Sequence, residues 1–244
     1  MTVPFENDTG NIVRKLARKS LKSEKRRNLM VVIAVALASC LICFSIVMAL
    51  STRQIEKNHV EDTYEAVYTR ITEEDVSTLK GLDDFSRVGE YYMLAVEPAK
   101  QGYNASYIYC DEETMYIARD QMKLLEGRLP QKEDEVAVSR YFLSNYGADA
   151  GIGEKVMLNS ESFHGEYTVT GILEGYKEKE VNGSSILLSK EALKGWSGYD
   201  PADYRAYVHF KNEQQMDETE LTARSREIAK EYQLEMPIMN LSYM

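Results

Sequence analysis

The stretch from Leu29 to Leu50, LMVVIAVALASCLICFSIVMAL, limits the folds open to this chain more than any other feature, because it contains no charged residue. As a helix, its roughly 22 residues rise about 33 Å, enough to cross a bilayer hydrocarbon core of about 30 Å. A run of this length and composition is typical of a membrane span. We therefore predict a transmembrane helix over residues 29–50, which divides the chain into a short segment before it and a long one after it.

The charges on the two sides of this span have opposite sign. Residues 1–28 hold eight basic and three acidic residues, a net charge of +5. Since the whole chain has a net charge of −10, the residues after the span have a net charge of −15. Short flanks rich in Lys and Arg remain on the cytoplasmic side of bacterial and other membranes. The expected organisation is a cytoplasmic basic segment over 1–28, the span over 29–50, and an extracytoplasmic domain over 51–244.

A cleaved signal peptide is the alternative explanation of the apolar run, with Val47-Met48-Ala49 as a possible cleavage site. Signal peptides have a short basic region and an apolar stretch of roughly 7 to 15 residues. The basic region here is longer, and the apolar stretch is long enough to span a membrane, which favours an uncleaved anchor. Because Cys40 and Cys43 lie inside the run, Cys110 is the single cysteine of the outer domain and forms no disulfide within it.

The segment before the span contains a basic amphipathic pattern. Apolar residues recur at helical spacing from Asn11 to Lys22, and five cations lie between them. Beside a membrane, such a helix is expected to lie in the interface with its cations near anionic head groups. Nucleic-acid binding is the alternative for a basic run, but the adjoining span and the lack of interleaved aromatic residues disfavour it.

After the span, the chain alternates between strand-like and helix-like segments. We expect a helical continuation out of the membrane, and then a strand–helix–strand unit in which Thr72 and Asp75 form a capping box. The predicted strands are residues 64–71, 85–97, 105–110, 135–138, 155–159, 167–173, 185–188 and 205–210, and the predicted helices are 72–82, 140–146, 190–196 and 218–233. The many tyrosines alternate along strands, which predicts that they pack within the core of a sheet.

Residue patterns that indicate catalysis are weak throughout. The three histidines (His59, His164 and His209) are far apart in sequence, and neither a GxSxG nor a Walker A sequence occurs. Gly147, Gly151 and Gly153 are better explained by a turn than by phosphate binding. The acidic runs 133–135 and 178–180 are compatible with cation or basic-peptide binding, although solvated loops are the simpler interpretation. We therefore predict no catalytic, cofactor-binding or metal-binding residues, no cofactor, and no enzyme activity.

Three segments together resemble a known family. These are NIVRKLARKSLKSEKRRNLMVVIAVAL at residues 11–37, LLEGRLPQKEDEVAVSRYFLSNYGADAGIGEKVML at residues 124–158, and YTVTGILEG at residues 167–175. Their order is similar to that of FtsX-like/MacB-like ABC transporter permeases. The matching elements are the Gly127-Arg128 and Pro130 turn, the acids at 133–135, Gly147 at a helix end, the turn and strand at 152–156, and the strand end at 168–173.

The resemblance implies an α+β architecture, with one N-terminal transmembrane helix followed by a mixed α/β extracytoplasmic domain like the MacB-like periplasmic core domain. It implies a permease subunit, or the N-terminal part of one, that relays ATP-driven conformational change for export, extraction or signalling in the bacterial plasma membrane. An ABC ATPase subunit and a second permease copy or half are the implied partners, and nucleic acid is not.

One departure from the family is that residues 51–244 contain no second apolar run, whereas family members carry further membrane helices. A fragment, a truncated gene product and a single-span relative are all compatible with this pattern. The alternative function is a single-pass anchored domain that binds or senses an extracellular ligand. A membrane-anchored enzyme is a third possibility, for which the sequence offers no residues.

Overall fold

The computed structural model describes residues 9–23, 25–60, 63–98, 103–119, 121–146, 150–175, 178, 183–211 and 216–240. It divides into two compact units, Met1–Asn58 and His59–Met244. The first contains the helical N-terminal region, and the second contains a mixed α/β domain. The fold class expected from the sequence is therefore confirmed.

Two helices form the N-terminal unit. Helix α1 covers Gly10–Ser23, and helix α2 runs without interruption over Lys25–Val60. The stretch Lys25–Ser51 of α2 is long and apolar enough to cross a membrane. Within it, the hydroxyls of Ser39 and Ser45 donate hydrogen bonds of 2.9 Å to the carbonyls of Val35 and Leu41, which satisfies their polar groups inside the helix.

The domain contains ten strands and five helices among its described residues. The strands are β1 Ala66–Ile71, β2 Phe85–Pro98, β3 Asn104–Cys110, β4 Met122–Gly127, β5 Glu135–Ser139, β6 Lys155–Asn159, β7 His164–Gly175, β8 Gly183–Leu188, β9 Tyr204–Phe210 and β10 Ile238–Met239. The helices are α3 Glu73–Lys80, α4 Glu112–Ile117, α5 Arg140–Tyr146, α6 Lys190–Gly195 and α7 Glu218–Glu231.

All ten strands belong to one mixed sheet in the order β10-β1-β9-β2-β3-β8-β5-β7-β4, and β6 also pairs with β7. The pairs β3–β8 and β5–β7 are parallel, and the others are antiparallel. Strand β7 is long enough for β6 and β4 to share one of its edges, with β6 on its first half and β4 on its second half.

Side chains alternate between the two faces of this sheet, as the strand period requires. The larger core lies on the face covered by α3, α5, α6 and α7, and it contains the fully buried Tyr68, Tyr92, Tyr107 and Tyr204. The opposite face carries two smaller clusters, one of which packs Ile117 of α4 against Val67 and Tyr207. The prediction that tyrosines build the sheet core is confirmed.

Local signals in the sequence placed many of these elements correctly. At the start of α3, the Asp75 amide donates to Thr72 Oγ1 (3.1 Å) and the Thr72 amide donates to Asp75 Oδ2 (2.8 Å), which confirms the capping box. The predicted strands 85–97 and 105–110 are also present as β2 and β3, which pair antiparallel. The proposed helix end at Gly147 lies outside the described residues.

The strand–helix–strand unit at the start of the domain differs from a simple βαβ unit. Strands β1 and β2 run parallel to each other, but β9 is inserted between them and pairs antiparallel with both. This split arrangement brings residues 204–210 beside residues 66–71. The contact follows from sheet order, which the local sequence pattern does not specify.

Candidate functional site

The first described residues after α2 are held by hydrogen bonds to several other elements of the domain. These residues, Thr63–Ala66, are called the joint below, and all four are buried. The Tyr64 amide donates to the Ile117 carbonyl (3.1 Å), and the Glu65 amide donates to the Val208 carbonyl (3.0 Å). The joint is therefore fastened to the end of α4 and to β9.

Asn240, just after β10, adds two hydrogen bonds to the same backbone. Its amide N–H donates to the Glu65 carbonyl (2.8 Å), and its side-chain Nδ2 donates to the Tyr64 carbonyl (2.9 Å). The Tyr64 and Glu65 carbonyls thus both accept hydrogen bonds from Asn240. The joint is therefore held from the β9 side and from the β10 side of β1.

A buried carboxylate–imidazole pair strengthens this attachment. Glu65 Oε1 lies 2.6 Å from His209 Nδ1, and Glu65 Oε2 accepts the Phe210 amide at 2.9 Å. The Glu65 and His209 side chains are 1% and 10% exposed. Burying a carboxylate is unfavourable unless its oxygens are hydrogen-bonded, so this pair fixes the register of the joint against β9.

Aromatic contacts cover the outer side of the joint. The rings of Tyr64 and Tyr207 meet edge to face with centroids 4.7 Å apart, and the Tyr91 ring lies 5.5 Å from that of Tyr207. Gln121 also donates a hydrogen bond to the Tyr64 hydroxyl. These contacts attach the joint to the rest of the domain from several sides.

The turn that carried the family resemblance is built around one ion pair. Arg128 forms two hydrogen bonds of 2.7 Å with the two carboxylate oxygens of Glu135, and that carboxylate also accepts the amides of Gln131 (2.9 Å) and Lys132 (3.3 Å). The Arg128 guanidinium and these amides lower the pKa of Glu135 to about 2. The acid at the end of the predicted run is therefore a structural anchor.

Gly127 precedes this pair and needs a conformation that other residues rarely adopt. Its φ is 82°, and a Cβ there would lie 2.2 Å from the Thr170 carbonyl oxygen. The Arg128 amide donates to that same carbonyl at 2.9 Å. The Gly-Arg sequence thus couples the end of β4 to β7.

A second charge network fastens two helices to β2. Lys190 Nζ lies 2.6 Å from Glu73 Oε1 and 2.7 Å from the buried Glu90 Oε1. Burial by itself lowers the pKa of Lys190, but the hydrogen bonds with Glu73 and Glu90 outweigh it and raise that pKa. Lys80 approaches Glu90 from the other side at 4.0 Å. These charges hold α3 and α6 in place on the sheet.

His164 and His209, the two histidines whose side chains the structure describes, are not brought together. His209 is buried beside Glu65, whereas His164 is exposed at the start of β7. His164 borders an open cleft of about 350 Å³ together with Glu133, Asp134 and Glu166. Nothing is described of the His59 side chain. Among the described residues, no group of three or more His, Cys, Asp or Glu is placed to hold a metal ion.

The remaining candidates occupy structural positions where they are described. Gly151 and Gly153 form the turn before β6, and the Gly153 amide donates to the Val169 carbonyl at 2.8 Å. Cys110 is buried, while Cys40 and Cys43 are exposed on α2. Residue 178 of the second acidic run contacts Ser184, and residues 179–180 lie outside the described part. The absence of catalytic, cofactor-binding and metal-binding residues stays a prediction.

Sequence reasoning missed the joint itself. Its one usable signal was Glu65, a carboxylate within the predicted strand 64–71, beside the β-forming residues Tyr64 and Val67. An acid in such a context indicates a partner, but the partner His209 is 144 positions away. Only the pairing of β1 with β9 brings the two together.

Comparison with known proteins gives one family match. The family described as the MacB-like periplasmic core domain matches residues 29–226, which include the apolar part of α2 as well as most of the domain. No curated protein matches the chain.

Two solved structures are similar to this chain. The extracellular domain of the noncanonic ABC-type transporter YknZ from Gram-positive bacteria is similar with a TM-score of 0.50 and 15% identity, over 73% of this chain and 100% of that one. The periplasmic region of MacB from Actinobacillus actinomycetemcomitans gives a TM-score of 0.49 and 11% identity, over 76% of this chain and 92% of that one. At 15% identity, the first of these likenesses concerns the fold alone.

Proposed function

Because the chain belongs to the family of the MacB-like periplasmic core domain, we propose that it forms part of an ABC transporter permease that relays ATP-driven movement to its extracytoplasmic domain. Relatives in this family are components of ABC-type transporters, which implies an ATPase partner. The chain's own part in this function is mechanical. The ATPase performs the chemistry, and the domain receives the movement.

The joint is the observation that carries this proposal. Four buried residues that follow the membrane helix are fastened by backbone hydrogen bonds to α4, β9 and the residue after β10. A displacement applied to such a segment moves the sheet as a body, since the interior of a protein is close-packed and yields little. A flexible tether to an independent binding domain would have no need of this attachment.

The form of α2 supports the same proposal. Its helix continues past the apolar stretch, from Ser51 to Val60, without a break. An uninterrupted helix is held by a hydrogen bond at every residue, so it moves as a stiff rod over this length. Movement at the membrane is therefore carried along α2 as far as Val60 with little loss.

The first test is assembly. The tagged full chain, purified in mild detergent from membranes of the bacterium that produces it, should retain an ABC ATPase in a fixed ratio. A chain that purifies alone with an extracellular ligand bound would instead favour the anchored sensor and overturn the transporter proposal.

The second test addresses the relay. Five residues, Gly-Gly-Ser-Gly-Gly, are inserted between Asp62 and Thr63, and hydrogen exchange of the Tyr64 and Glu65 amides is compared without nucleotide and with ATP and vanadate. The uninterrupted complex should show a nucleotide-dependent change in protection. The insertion variant should retain the ATPase but lose the change, because the flexible linker absorbs the displacement.

A matched insertion controls for general damage to the domain. The same five residues placed between the exposed Pro201 and Ala202 should leave the nucleotide-dependent change intact. If both insertions have the same effect, or if the insertion before Thr63 leaves the change unaltered, the relay through the joint is wrong even where the ATPase still co-purifies.

A further inference from the structure

Helix α1 segregates its apolar and charged residues completely. At about 100° per residue, Ile12, Val13, Leu16, Ala17 and Ser20 fall within one arc of about 140°. The five cations of the helix occupy the remaining arc, and the helix contains no acidic residue. These cations are Arg14, Lys15, Arg18, Lys19 and Lys22.

The apolar arc has no cover within the described structure. Ile12, Val13 and Leu16 are 57%, 61% and 62% exposed. An isolated helix of fewer than about 15 residues is marginal in water and gains most of its stability by packing its apolar face. The 14 residues of α1 therefore require a surface to lie on.

The charge and position of α1 define the chemistry of that surface. This surface must bind apolar side chains along one side of the helix and present negative charge beside them. It must also lie next to the N-terminal end of the membrane span. Lys25, Arg26 and Arg27 open that span immediately after α1 and extend the positive charge to its edge. The interface of a bilayer containing anionic lipids has all three properties.

We propose that α1 lies flat in the bilayer interface at the N-terminal end of the span, with Ile12, Val13 and Leu16 among the acyl chains and its cations on anionic head groups. The helix thus makes membrane attachment depend on lipid charge as well as on the span. This inference rests on α1 and the span alone and does not depend on the transporter assignment.

The test uses the full chain in vesicles, with one tryptophan as a depth reporter. The chain has a single tryptophan, Trp196, so Trp196→Phe combined with Leu16→Trp places the only indole on the apolar arc. The protein is reconstituted into phosphatidylcholine vesicles, or into 3:1 phosphatidylcholine–phosphatidylglycerol vesicles, each with lipids brominated near the head-group end of the acyl chain. The bromines should quench the reporter strongly in the anionic vesicles, and less at high salt, where the charge attraction is screened.

Charge removal gives the decisive comparison. With each cation contributing about fivefold, the triple change Arg14→Gln, Arg18→Gln and Lys22→Gln should lower the bound-to-free ratio of the helix by on the order of 100-fold in anionic vesicles. The matched control changes three exposed domain lysines instead, Lys123→Gln, Lys132→Gln and Lys230→Gln, and should leave quenching unchanged.

Two results would overturn the proposal. Equal quenching in both lipid mixtures that survives the α1 triple change would show that anionic lipid is not the partner. A reporter that bromines do not reach in either mixture would show that α1 lies in water, where soluble iodide quenches it, or under a protein partner, where iodide does not.

Discussion

At the scale of single residues, Arg128 and Glu135 give the family-like turn its physical basis. Glu135 is buried, yet it remains charged because Arg128 and two backbone amides donate to it. Gly127 supplies the left-handed backbone that lets Arg128 point back toward β5. The turn is therefore a unit, and removing the charge of Glu135 leaves the guanidinium and two amide donors without their shared acceptor.

Changing Glu135 to Gln should reduce stability in a pH-dependent manner. The pKa of Glu135 is lowered from 4.5 to about 2 in the folded state, so the carboxylate stabilises the fold above about pH 4.5 and loses this contribution as the pH falls toward 2. At pH 7, the E135Q chain should unfold at a lower urea concentration than the parent. The difference should shrink below about pH 4.5, as followed by Trp196 fluorescence in detergent.

Glu166 offers a matched control for this experiment. It also pairs with a cation, Lys155 at 2.8 Å, but both side chains are more than half exposed. Exposed pairs contribute little, so E166Q should leave the urea midpoint nearly unchanged at every pH. An E135Q chain with a pH-independent loss, or with none, would contradict the role assigned to the Arg128–Glu135 pair.

Sequence rules predicted residue roles where the role was local. Thr72 as a helix cap and Gly127 as a turn residue both follow from preferences that act over a few positions. Gln233 shows the limit, since it takes a left-handed φ of 56° after α7 where glycine is the usual residue. There, the Leu234 amide donates to the Ala229 carbonyl at 2.8 Å and Leu234 packs on the core, and this tertiary contact overrides the local preference.

At the scale of elements, α4 lies so close to β2 that no side chain would fit between them at position 89. The Glu90 carbonyl accepts the Asp111 amide (3.0 Å) and the Thr114 hydroxyl (2.9 Å), while the Glu90 amide donates to Asp111 Oδ1 (2.9 Å). Gly89 makes this approach possible. A Cβ on Gly89 would lie 2.5 Å from the Thr114 backbone nitrogen and 2.6 Å from its Cα.

Changing Gly89 to Ala should therefore push α4 away from the sheet. The added methyl meets backbone atoms that cannot rotate aside, so we expect a loss of about 1–3 kcal/mol in the free energy of unfolding. Urea titration of the full chain in detergent measures it. Because α4 holds the joint through the Ile117 carbonyl, the Tyr64 amide should also exchange faster in this variant.

Gly151 serves as the control for the glycine change. A Cβ there would meet only a flexible carboxylate oxygen of Glu154 at 3.8 Å, so G151A should alter the free energy of unfolding by no more than about 0.5 kcal/mol. Equal effects of G89A and G151A would indicate a general cost of replacing glycine and would refute the close seating of α4.

Elements with strong local patterns were predicted, and short or interrupted ones were not. Strands β5 and β6 and helices α3 and α5 lie at their predicted positions. Helix α4 has six residues and β10 has two, too few for a periodic pattern to develop. Strand β4 was also missed, since a bulge after Leu124 interrupts its alternation.

At the scale of the whole molecule, the uneven charge predicts the direction in which the chain crosses the membrane. The basic N-terminal segment should be cytoplasmic and the acidic domain extracytoplasmic. A membrane-impermeant maleimide added to intact cells should label Glu191→Cys, on the exposed surface of α6, and should label Thr9→Cys only after the cells are permeabilised. Each position is replaced in a separate chain.

The parent chain is the background for this labelling, because Cys110 is buried and Cys40 and Cys43 lie in the apolar stretch of α2. Labelling of Thr9→Cys in intact cells, with Glu191→Cys protected, would show the opposite orientation.

The sequence could predict the membrane span and its direction, because both depend on the length and net charge of segments, which are sums over residues. It could not predict the order of ten strands, which depends on packing between distant segments.

The pairing of β1 has a consequence for the biosynthesis of the protein. Ala66, at the end of the joint, pairs with Val208 and with Met239, both of which are synthesised roughly 140 residues or more later. The joint is thus among the first parts of the domain to leave the ribosome and the last to gain its neighbours. Until β9 and β10 have been synthesised, β1 has two open edges, so this part of the domain completes its folding late and depends meanwhile on protection from aggregation.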